Sequence, residues 1–395
     1  MHAVHILQQR LRAGCAGMHL KRLQAVLACV AAALQAQRLT ITDLGRALPS
    51  AAYPKHSIKR VDRLAGNSHL RQERSGVYSV IAHWLLEGNT RPVIVVDWSE
   101  LTRDRRCQLL RAALPLGGRT LTLYEEVHPL RRLGNPNVQR RFLARLKALL
   151  PEHAVPIIVT DAGFRTPWFR AVSKLGWHWI GRVRNREYVC AEHSDDWLPA
   201  KNLYAAASSR PRALGPHDLA RSNATACRLF VIKRTPRHRV AKSAYGKPRR
   251  STQDLARARM NREPWLLAAS PSLDDLRPRQ VVNIYAQRMQ IEEAFRDLKC
   301  ARYGLGFELH LSRKPQRIAT LLLIASLALL LLCLIGTAAR ASGMQRRFQS
   351  NCRKTRPVLS VLSLGSLILR HALYSSPPRL PFPITMPQPM RGVPL

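Results

Sequence analysis

The chain has 395 residues, 46% of them hydrophobic and 22% charged, which is enough for about two to four domains and excludes wholesale disorder. Its 64 Lys and Arg residues outnumber 24 Asp and Glu residues, and the formal charge of +40 requires a polyanion as partner, either nucleic acid or an anionic membrane surface. The 8 cysteines are widely spaced without a Cys-x-x-Cys pair, which excludes a zinc ribbon or a thioredoxin-type site and is typical of reduced cytoplasmic thiols.

The first 90 residues are predicted to form helices joined by short turns. The predicted helices are Leu20–Gln37, a short one capped by Thr42 and ending at Leu48, Ser57–Ala65, and Ser68 to about Leu86. Basic side chains recur along them, namely Lys55, Lys59, Arg60, Arg63, Arg71 and Arg74. This pattern fits a DNA-binding module of the helix-turn-helix type, and a plain helical bundle is the alternative.

From residue 91 the pattern changes to short apolar runs that alternate with helices. The predicted elements are strand Pro92–Asp97, hairpin strands Gln108–Leu116 and Thr120–Val127, helix Val138–Leu150, strand Pro156–Asp161, helix Pro167–Leu175 and strand Trp177–Val183. The order β-β-β-α-β-α-β predicts an α/β sheet with three leading antiparallel strands.

Residues 185–263 are polar and strongly basic, and they are predicted to form an insertion with short strands. Arg228–Ile232 is the clearest of these strands, and between Arg228 and Arg262 there are 12 Lys and Arg residues but one acid, Asp254. Regular structure resumes with a strand at Pro264–Ala269 and one long helix from Pro278 to Lys299, because proline suits the first turn of a helix.

The segment Ile318–Ala339 contains 22 residues without a charge, which is long enough to span a membrane. A helix in the centre of a large soluble core has the same composition, and the basic residues at both ends give no orientation signal. After Glu308 the chain has 12 Lys and Arg residues and no acid, and residues 377–395, with 7 prolines, are predicted to be poorly ordered.

Three acids stand out as candidate metal ligands. Asp97 and Asp161 each end a predicted buried strand, and Glu292 lies on the long helix with Tyr285, Arg288 and Lys299 at helical spacing on the same face. Three carboxylates suit Mg²⁺ or Mn²⁺, and a pair of such ions can clamp both oxygens of a phosphodiester exchange. The alternatives are two turn aspartates and a salt-bridged surface helix.

The spacing Tyr285-x2-Arg288-x3-Glu292-x6-Lys299 matches the signature of bacterial Asp-Asp-Glu transposases of the insertion-sequence-four family. Val95-Val-Asp97-Trp-Ser and Val159-Thr-Asp161-Ala-Gly-Phe resemble the two aspartate motifs of that family. The resemblance covers roughly residues 1–375 and implies a ribonuclease-H-like catalytic core, with a mostly helical DNA-binding region before it and a basic, partly β insertion between the second Asp and the Glu.

The resemblance also implies roles for individual residues. Asp97, Asp161 and Glu292 are expected to be the catalytic acids and to bind two Mg²⁺ or Mn²⁺ ions, Glu293 being turned about 100° away from them on the helix. The DNA-binding residues are expected to be Arg288 and Lys299 on the phosphates, with Tyr285 beside them. Trp265 resembles the tryptophan of the family that receives a flipped base, and a core aromatic in a strand is its alternative reading.

The implied activity is cut-and-paste transposition of an insertion sequence by a cytoplasmic, nucleoid-associated homodimer on double-stranded DNA, namely inverted-repeat ends and target. The apolar segment is then a buried helix and not a membrane span. A nuclease that cannot join strands and a non-catalytic protein bound to transposon ends are the alternatives. The implied domains are helical end-binding region 1–90, catalytic core 91–184 and 264–345, basic insertion 185–263, and C-terminal region 346–395, with a role in dimerisation and a Pro-rich tail that departs from the family pattern.

Overall fold

A computed structural model of the chain describes residues 2–102, 104–185, 187–234, 251–252, 263–302, 304–350, 352 and 356–373. These residues form two compact units, and each unit is described by itself. The first unit comprises the chain up to Pro156 together with the chain from Gln287 onward, and the second unit comprises Ile157–Ala286.

Helices and strands follow one another in a mixed α/β order. The helices are α1 (His2–Gly14), α2 (Leu20–Ala36), α3 (Ile41–Ala47), α4 (Pro54–Ala65), α5 (Ser68–Leu85), α6 (Pro136–Leu149), α7 (Thr166–Lys174), α8 (Pro278–Ala286), α9 (Met289–Lys299), α10 (Pro315–Ala341) and α11 (Val361–Leu373). The strands are β1 (Val93–Glu100), β2 (Cys107–Leu116), β3 (Arg119–Pro129), β4 (Ile157–Thr160), β5 (His178–Val183), β6 (Tyr188–Ala191), β7 (Trp197–Pro199), β8 (Arg212–Leu219), β9 (Thr225–Ile232) and β10 (Trp265–Ala269). The predicted order β-β-β-α-β-α-β is therefore confirmed for β1 to β5.

The helices of the first 90 residues confirm the prediction and correct some of its boundaries. The cap of α3 is Thr40 and not Thr42, because the Thr40 hydroxyl accepts from the Asp43 N–H at 3.0 Å while it donates to the Asp43 carboxylate at 2.6 Å. Helix α4 begins three residues earlier than predicted, with Pro54 in its first turn. The cap of α5 is Asn67, whose side chain accepts from the Leu70 N–H.

In the first unit, β1, β2 and β3 form an antiparallel sheet. Gly117 and Gly118 make the turn between β2 and β3 with φ of 53° and 98°, a region of backbone space in which only glycine is unstrained. β1 continues three residues beyond Asp97, since Trp98, Ser99 and Glu100 still pair with β2. Asp97 therefore lies inside the strand and not at its end, which corrects the prediction.

The long apolar segment forms α10 in the first unit. It is long and apolar enough to cross a membrane by length and composition, but 94% of its most apolar window is buried inside the structure, as in the core helix of a soluble protein. Helix α11 packs against α10 at a glycine pair: a Cβ atom on Gly336 would lie 1.7 Å from the Val361 carbonyl oxygen, and one on Gly365 would lie 2.0 Å from that of Leu332. Larger residues there would force the two backbones apart.

In the second unit, seven strands form a mixed sheet in the order β4-β5-β10-β9-β8-β6-β7. β4 and β5 run parallel and the remaining neighbours run antiparallel. The part of the basic insertion between residues 187 and 234 is more regular than predicted, because β6 to β9 pair with one another. Residues 235–250 and 253–262 lie outside the described residues.

The predicted single helix Pro278–Lys299 is wrong, because the chain forms two helices, α8 and α9, with a break at Gln287–Arg288. At the break the N–H groups of Gln290 and Ile291 bond to the carbonyls of Gln287 and Arg288, three residues back instead of four. The break also marks the boundary between the two units, so Tyr285 belongs to the second unit while Arg288, Glu292 and Lys299 belong to the first.

Candidate active site

Asp97 is fixed in the first unit by its strand and by two hydrogen bonds. It lies opposite Arg111 in the β1–β2 register, and the residue is 9% exposed. The Trp98 N–H donates to Oδ1 at 2.8 Å, and Arg288 Nη1 donates to Oδ2 at 3.2 Å. One carboxylate oxygen is thus held by the backbone and the other by a cation.

Arg288 joins the two predicted acids of the first unit. Besides its bond to Asp97, its Nη2 donates to Glu292 Oε1 at 2.7 Å. The Asp97 and Arg288 side chains are 13% and 12% exposed, whereas that of Glu292 is 46% exposed. The guanidinium therefore bridges one largely buried and one accessible carboxylate.

Glu293, the neighbour of Glu292, points to other partners. Its carboxylate forms ion pairs with Arg296 and, at 3.9 Å, with Arg119. The predicted difference in direction between the two glutamates is thus borne out by their partners, and Glu292 is the one that shares Arg288 with Asp97. The Arg288–Glu292 contact is the ordinary i,i+4 pair of the alternative reading, but its extension to Asp97 is not.

Lys299 closes α9 beside β1. Its Nζ donates to Ser99 Oγ at 2.9 Å and to the Glu100 carbonyl at 3.2 Å. Burial lowers the pKa of Lys299, and the nearby Glu100 acts in the opposite direction by favouring the charged form. A phosphate near Nζ would offset the same desolvation.

Arg111 adds a third cation to the neighbourhood of Asp97, but a neutralised one. Arg111 and Glu125 form an ion pair at 2.6 Å with both side chains 1% exposed, and Tyr78 and Ser326 donate to the other Glu125 oxygen. Such a network costs stability when one partner is removed, because the other charge stays buried. The network joins β2, the neighbour of the strand that carries Asp97, to β3 and α10.

Asp161 lies in the second unit, directly after β4, and is held differently. Its Oδ1 accepts the N–H of Gly163 at 2.8 Å, two residues further along the turn. A Cβ atom on Gly163 would lie 3.0 Å from that same oxygen, so a side chain at this position would push the carboxylate. The side chain is half-buried.

A cavity of about 380 Å³ in the second unit begins next to Asp161. We call it the Asp161 cavity; residues that line it include Phe164, Arg165, Phe169, Arg182, Arg184, Asn185, Glu187 and Glu263. Burial lowers the pKa of Arg182, and its Nε is buried without a hydrogen-bond partner among the described residues. Sequence reasoning missed this cluster, which joins Arg182 near the end of β5 with Arg184 just beyond it and with Arg165 before α7.

Trp265 and Tyr285 also lie in the second unit and pack edge to face, with ring centroids 5.0 Å apart. Tyr285 is 3% exposed, and the Trp265 ring, which is half-buried, carries the guanidinium of Arg234 at 4.6 Å from its centroid. The Trp265 ring is thus partly accessible, unlike a core aromatic, but it is not fully exposed. The half-buried ring is in contact with a cation, the Arg234 guanidinium.

The donor chemistry suits a divalent cation only in part. Carboxylate oxygens are the ligands that Mg²⁺ and Mn²⁺ prefer, and Asp97 and Glu292 already share one cation, the Arg288 guanidinium. Within the described residues no group of three or more His, Cys, Asp or Glu side chains is arranged to hold a metal ion. The three-acid metal site remains a prediction.

Comparison with known proteins gives the family. The sequence model of the transposase DDE domain matches residues 88–331, which include Asp97, Asp161 and Glu292. The chain belongs to this family. The transposase is similar to a solved piggyBac transposase synaptic complex with hairpin DNA, with 12% identity, a TM-score of 0.39, and coverage of 90% of this chain and 80% of that one. No curated protein matches it.

The family match confirms the predicted transposase class at the level of the domain. It spans the first part of the predicted catalytic core, the insertion, and the second part of the core up to residue 331, which includes Trp265, Tyr285, Arg288 and Lys299. Transposases of this class cut and rejoin DNA strands. The helical region before residue 88 and the chain beyond residue 331 lie outside the match.

Proposed function

We propose that this transposase belongs to the insertion-sequence-four group and catalyses metal-dependent cut-and-paste transposition. The steps are nicking, hairpin formation and hairpin opening at the element ends, followed by strand transfer into target DNA. One observation carries the proposal: Arg288 contacts Asp97 and Glu292 together, in a chain that belongs to the transposase DDE domain family. The order of β1 to β5 supports a ribonuclease-H-like core.

Asp97, Asp161 and Glu292 are the proposed metal ligands and catalytic acids. Two Mg²⁺ ions, or Mn²⁺, would supply charge stabilisation at the phosphodiester and a nucleophilic oxygen at neutral pH. The protein's own contribution is to hold two of these acids on different elements, β1 and α9, and to neutralise them with Arg288 when no ion is bound.

The basic residues are proposed to hold the DNA strand at the site. Arg288 and Lys299 take the phosphates of the transposon end, Tyr285 supports them, and Trp265 receives an extruded base. The contact of Trp265 with Arg234 supports this role, because the guanidinium places a positive charge for a DNA phosphate beside the half-buried ring. Arg182 and Arg184 offer further positive charge in the Asp161 cavity.

Double-stranded DNA is the proposed partner, both as inverted-repeat ends and as target, in a synaptic complex that contains two copies of the chain. The formal charge of +40 supports a polyanionic partner. Cytoplasmic, nucleoid-associated activity follows from that partner. The proposed domain roles follow the sequence, with end binding in residues 1–90 and dimerisation in residues 346–395.

The experiment uses the full chain, Mg²⁺ and linear duplexes that carry the DNA flanking the gene. We expect a double-strand cut at the element ends and joining of the excised ends to a target plasmid. Asp97→Asn, Asp161→Asn and Glu292→Gln should each lower the cleavage rate by roughly 10³-fold, because each removes a ligand worth several kcal/mol in the transition state. DNA affinity at low salt should change little.

Glu293→Gln is the matched control, since Glu293 neighbours Glu292 but pairs with Arg119 and Arg296. It should cut at close to the wild-type rate. Cleavage without joining would support the nuclease-only alternative. End binding without any cleavage, in Mn²⁺ as in Mg²⁺, would support the non-catalytic one, and undiminished cleavage by Asp97→Asn would refute the proposed site.

A further inference from the structure

Besides the Asp161 cavity of the second unit, a cavity with basic side chains lies in the first unit. None of the three predicted acids lines it. It has a volume of about 340 Å³ and lies where the end of α2, the loop after α9, and α11 meet. We call it the Arg370 cavity; its polar lining consists of Gln37, Arg38, Arg302, Ser363, Ser366 and Arg370. Among the described residues that line it, none is Asp or Glu.

The polar side of the Arg370 cavity is built from side chains that hold one another. Gln37 closes α2 in the left-handed conformation, with φ of 51°. Its side-chain Nε2 donates to Ser366 Oγ at 2.5 Å, while its Oε1 accepts from Arg370. The Arg370 guanidinium is thus positioned by a neutral amide and not by a carboxylate, within the part of the chain that the structure describes.

Arg302 is presented by a tightly closed loop. The Leu305 N–H donates to the Asp297 carbonyl at 2.9 Å, and the N–H groups of Gly304 and Gly306 both donate to the Cys300 carbonyl. A Cβ atom on Gly304 would lie 1.7 Å from the Asp297 carbonyl oxygen, so the loop can approach α9 this closely only with glycine there. Arg302 is exposed at the turn of this loop.

The remaining wall is apolar, with Leu305, Leu332, Leu362 and Leu367 in the lining. Three guanidinium groups beside a leucine surface match a phosphate that carries a sugar better than they match a bare inorganic ion. Arginine is suited to phosphate because its planar fork can donate two hydrogen bonds to two oxygens. Among the described residues no acid lines the cavity, so the charges of Arg38 and Arg370 meet no carboxylate within it.

We infer that the Arg370 cavity binds the phosphate and sugar of a DNA strand that continues outward from the proposed cleavage site. This inference rests on the proposed function, because Lys299 is there assigned to a phosphate. Arg302 follows Lys299 by three residues, which places their Cα atoms at most about 11 Å apart. Phosphates recur along one strand about every 3.4 Å of helix axis, so a strand held at Lys299 has further phosphates within reach of the cavity.

The test compares two double variants of the full chain that lose the same charge. Arg38→Gln with Arg370→Gln alters the cavity, and Arg131→Gln with Arg132→Gln alters two exposed arginines in the turn after β3. The affinity for an element-end duplex is measured by fluorescence anisotropy at several salt concentrations. The cavity variant should bind roughly tenfold more weakly, with a salt slope lower by about one per lost phosphate contact, and the control should change much less.

Two further measurements separate a local folding defect from a lost phosphate contact. Arg38→Gln alone should weaken binding in the same direction, since Arg38 has no hydrogen-bond or ion-pair partner among the described residues. Arg38→Lys with Arg370→Lys, which keeps the charge and loses the planar fork, should recover part of the affinity. If the cavity variant and the control variant lose the same amount of DNA affinity, the effect comes from the overall charge of the chain, and the inference is overturned.

The competing ligand is a free phosphate or pyrophosphate ion. If millimolar pyrophosphate stabilises the wild-type chain against heat in a cavity-dependent manner while duplex affinity is the same in both double variants, the cavity takes a free anion and the inference fails. Metal-dependent cleavage by the wild type is scored separately. A chain that binds DNA through the cavity but never cuts would refute the proposed function and leave this inference standing.

Discussion

The two strand-borne aspartates of this transposase are held by different means. Asp97 lies inside β1, largely buried, and one of its oxygens is bound to the Arg288 guanidinium. Asp161 lies just beyond β4, half-buried, and its carboxylate is bound to the backbone of its own turn. Asp97 is held by a side chain far away in the sequence, Arg288, whereas Asp161 is held by Gly163, two residues further along the chain.

The charged residues near the two carboxylates also differ. Around Asp97 the charges are paired, as in the buried Arg111–Glu125 network. The cavity that begins at Ala162, next to Asp161, is lined by three arginines, Arg165, Arg182 and Arg184, and by two glutamates, Glu187 and Glu263. The comparison teaches that two aspartates of the same motif type can be fixed differently, one by an ion pair with a side chain far along the chain and the other by the backbone of its own turn.

The largest expected effect is a loss of folding stability at low pH. Although burial alone would raise the pKa of Glu126 on β3, contacts with His128, Tyr124 and Arg145 lower it from 4.5 to about 2. Because the folded pKa lies below the unfolded one, this stabilisation is full above pH 4.5 and is lost as the pH falls toward 2, by about 3 kcal/mol. Glu126→Gln should flatten the pH dependence of urea unfolding over that window.

Glu126 belongs to the first unit, so hydrogen exchange at pH 3 should rise first in β3 and its neighbours. Glu187→Gln, in the second unit, serves as the control for a general loss of one negative charge. Earlier exposure of β4 and β5 than of β3 would break the comparison between the two units.

The second expected effect concerns the aspartates themselves. Asp97→Ala leaves Arg288, whose side chain is 12% exposed, with a lost partner, and it should lower the free energy of unfolding by about 2 kcal/mol. Asp161→Ala frees only an exposed turn N–H and should cost less than about 1 kcal/mol. Urea denaturation of both variants measures the difference, and equal losses would contradict the distinct roles described above.

The smallest effect concerns competition between Arg288 and a metal ion for Asp97 and Glu292. Arg288→Gln removes the guanidinium that pairs with both carboxylates. The DNA-free protein should then bind Mn²⁺ roughly tenfold more tightly, an effect of about 1.4 kcal/mol. Titration followed by the electron paramagnetic resonance of free Mn²⁺ measures this without any activity assay. Arg296→Gln, which removes a partner of Glu293, is the matched control, and an unchanged Mn²⁺ affinity of Arg288→Gln would argue against competition.

Much of the fold was predictable because its signals are local. Strands such as β1 and β4 are short apolar runs, the β2–β3 hairpin is marked by Gly117-Gly118, and α8 begins at a proline. The break at Gln287–Arg288 was not predictable, since it contains neither glycine nor proline. It accompanies tertiary contacts of the flanking side chains, Tyr285 with Trp265 and Arg288 with Asp97.

The candidate site was predictable as residue types and only partly as geometry. Helical periodicity predicted Arg288, Glu292 and Lys299 on one continuous helix; Glu292 and Lys299 lie on α9, whereas Arg288 lies in the break before it and still pairs with Glu292. The Asp161 cavity was not foreseen, because Arg182 and Arg184 are two among 64 basic residues and only the folded chain brings them to the same cavity as Arg165.

The position of Arg288 between Asp97 and Glu292 has a thermodynamic consequence. If the same guanidinium is to hold a DNA phosphate, it must first leave the carboxylates, and a cation that occupies the carboxylates must first displace it. DNA and metal then bind with positive cooperativity, and by linkage each raises the affinity for the other by the same factor. In that case Arg288 occupies both carboxylates until DNA and the metal ion are present together.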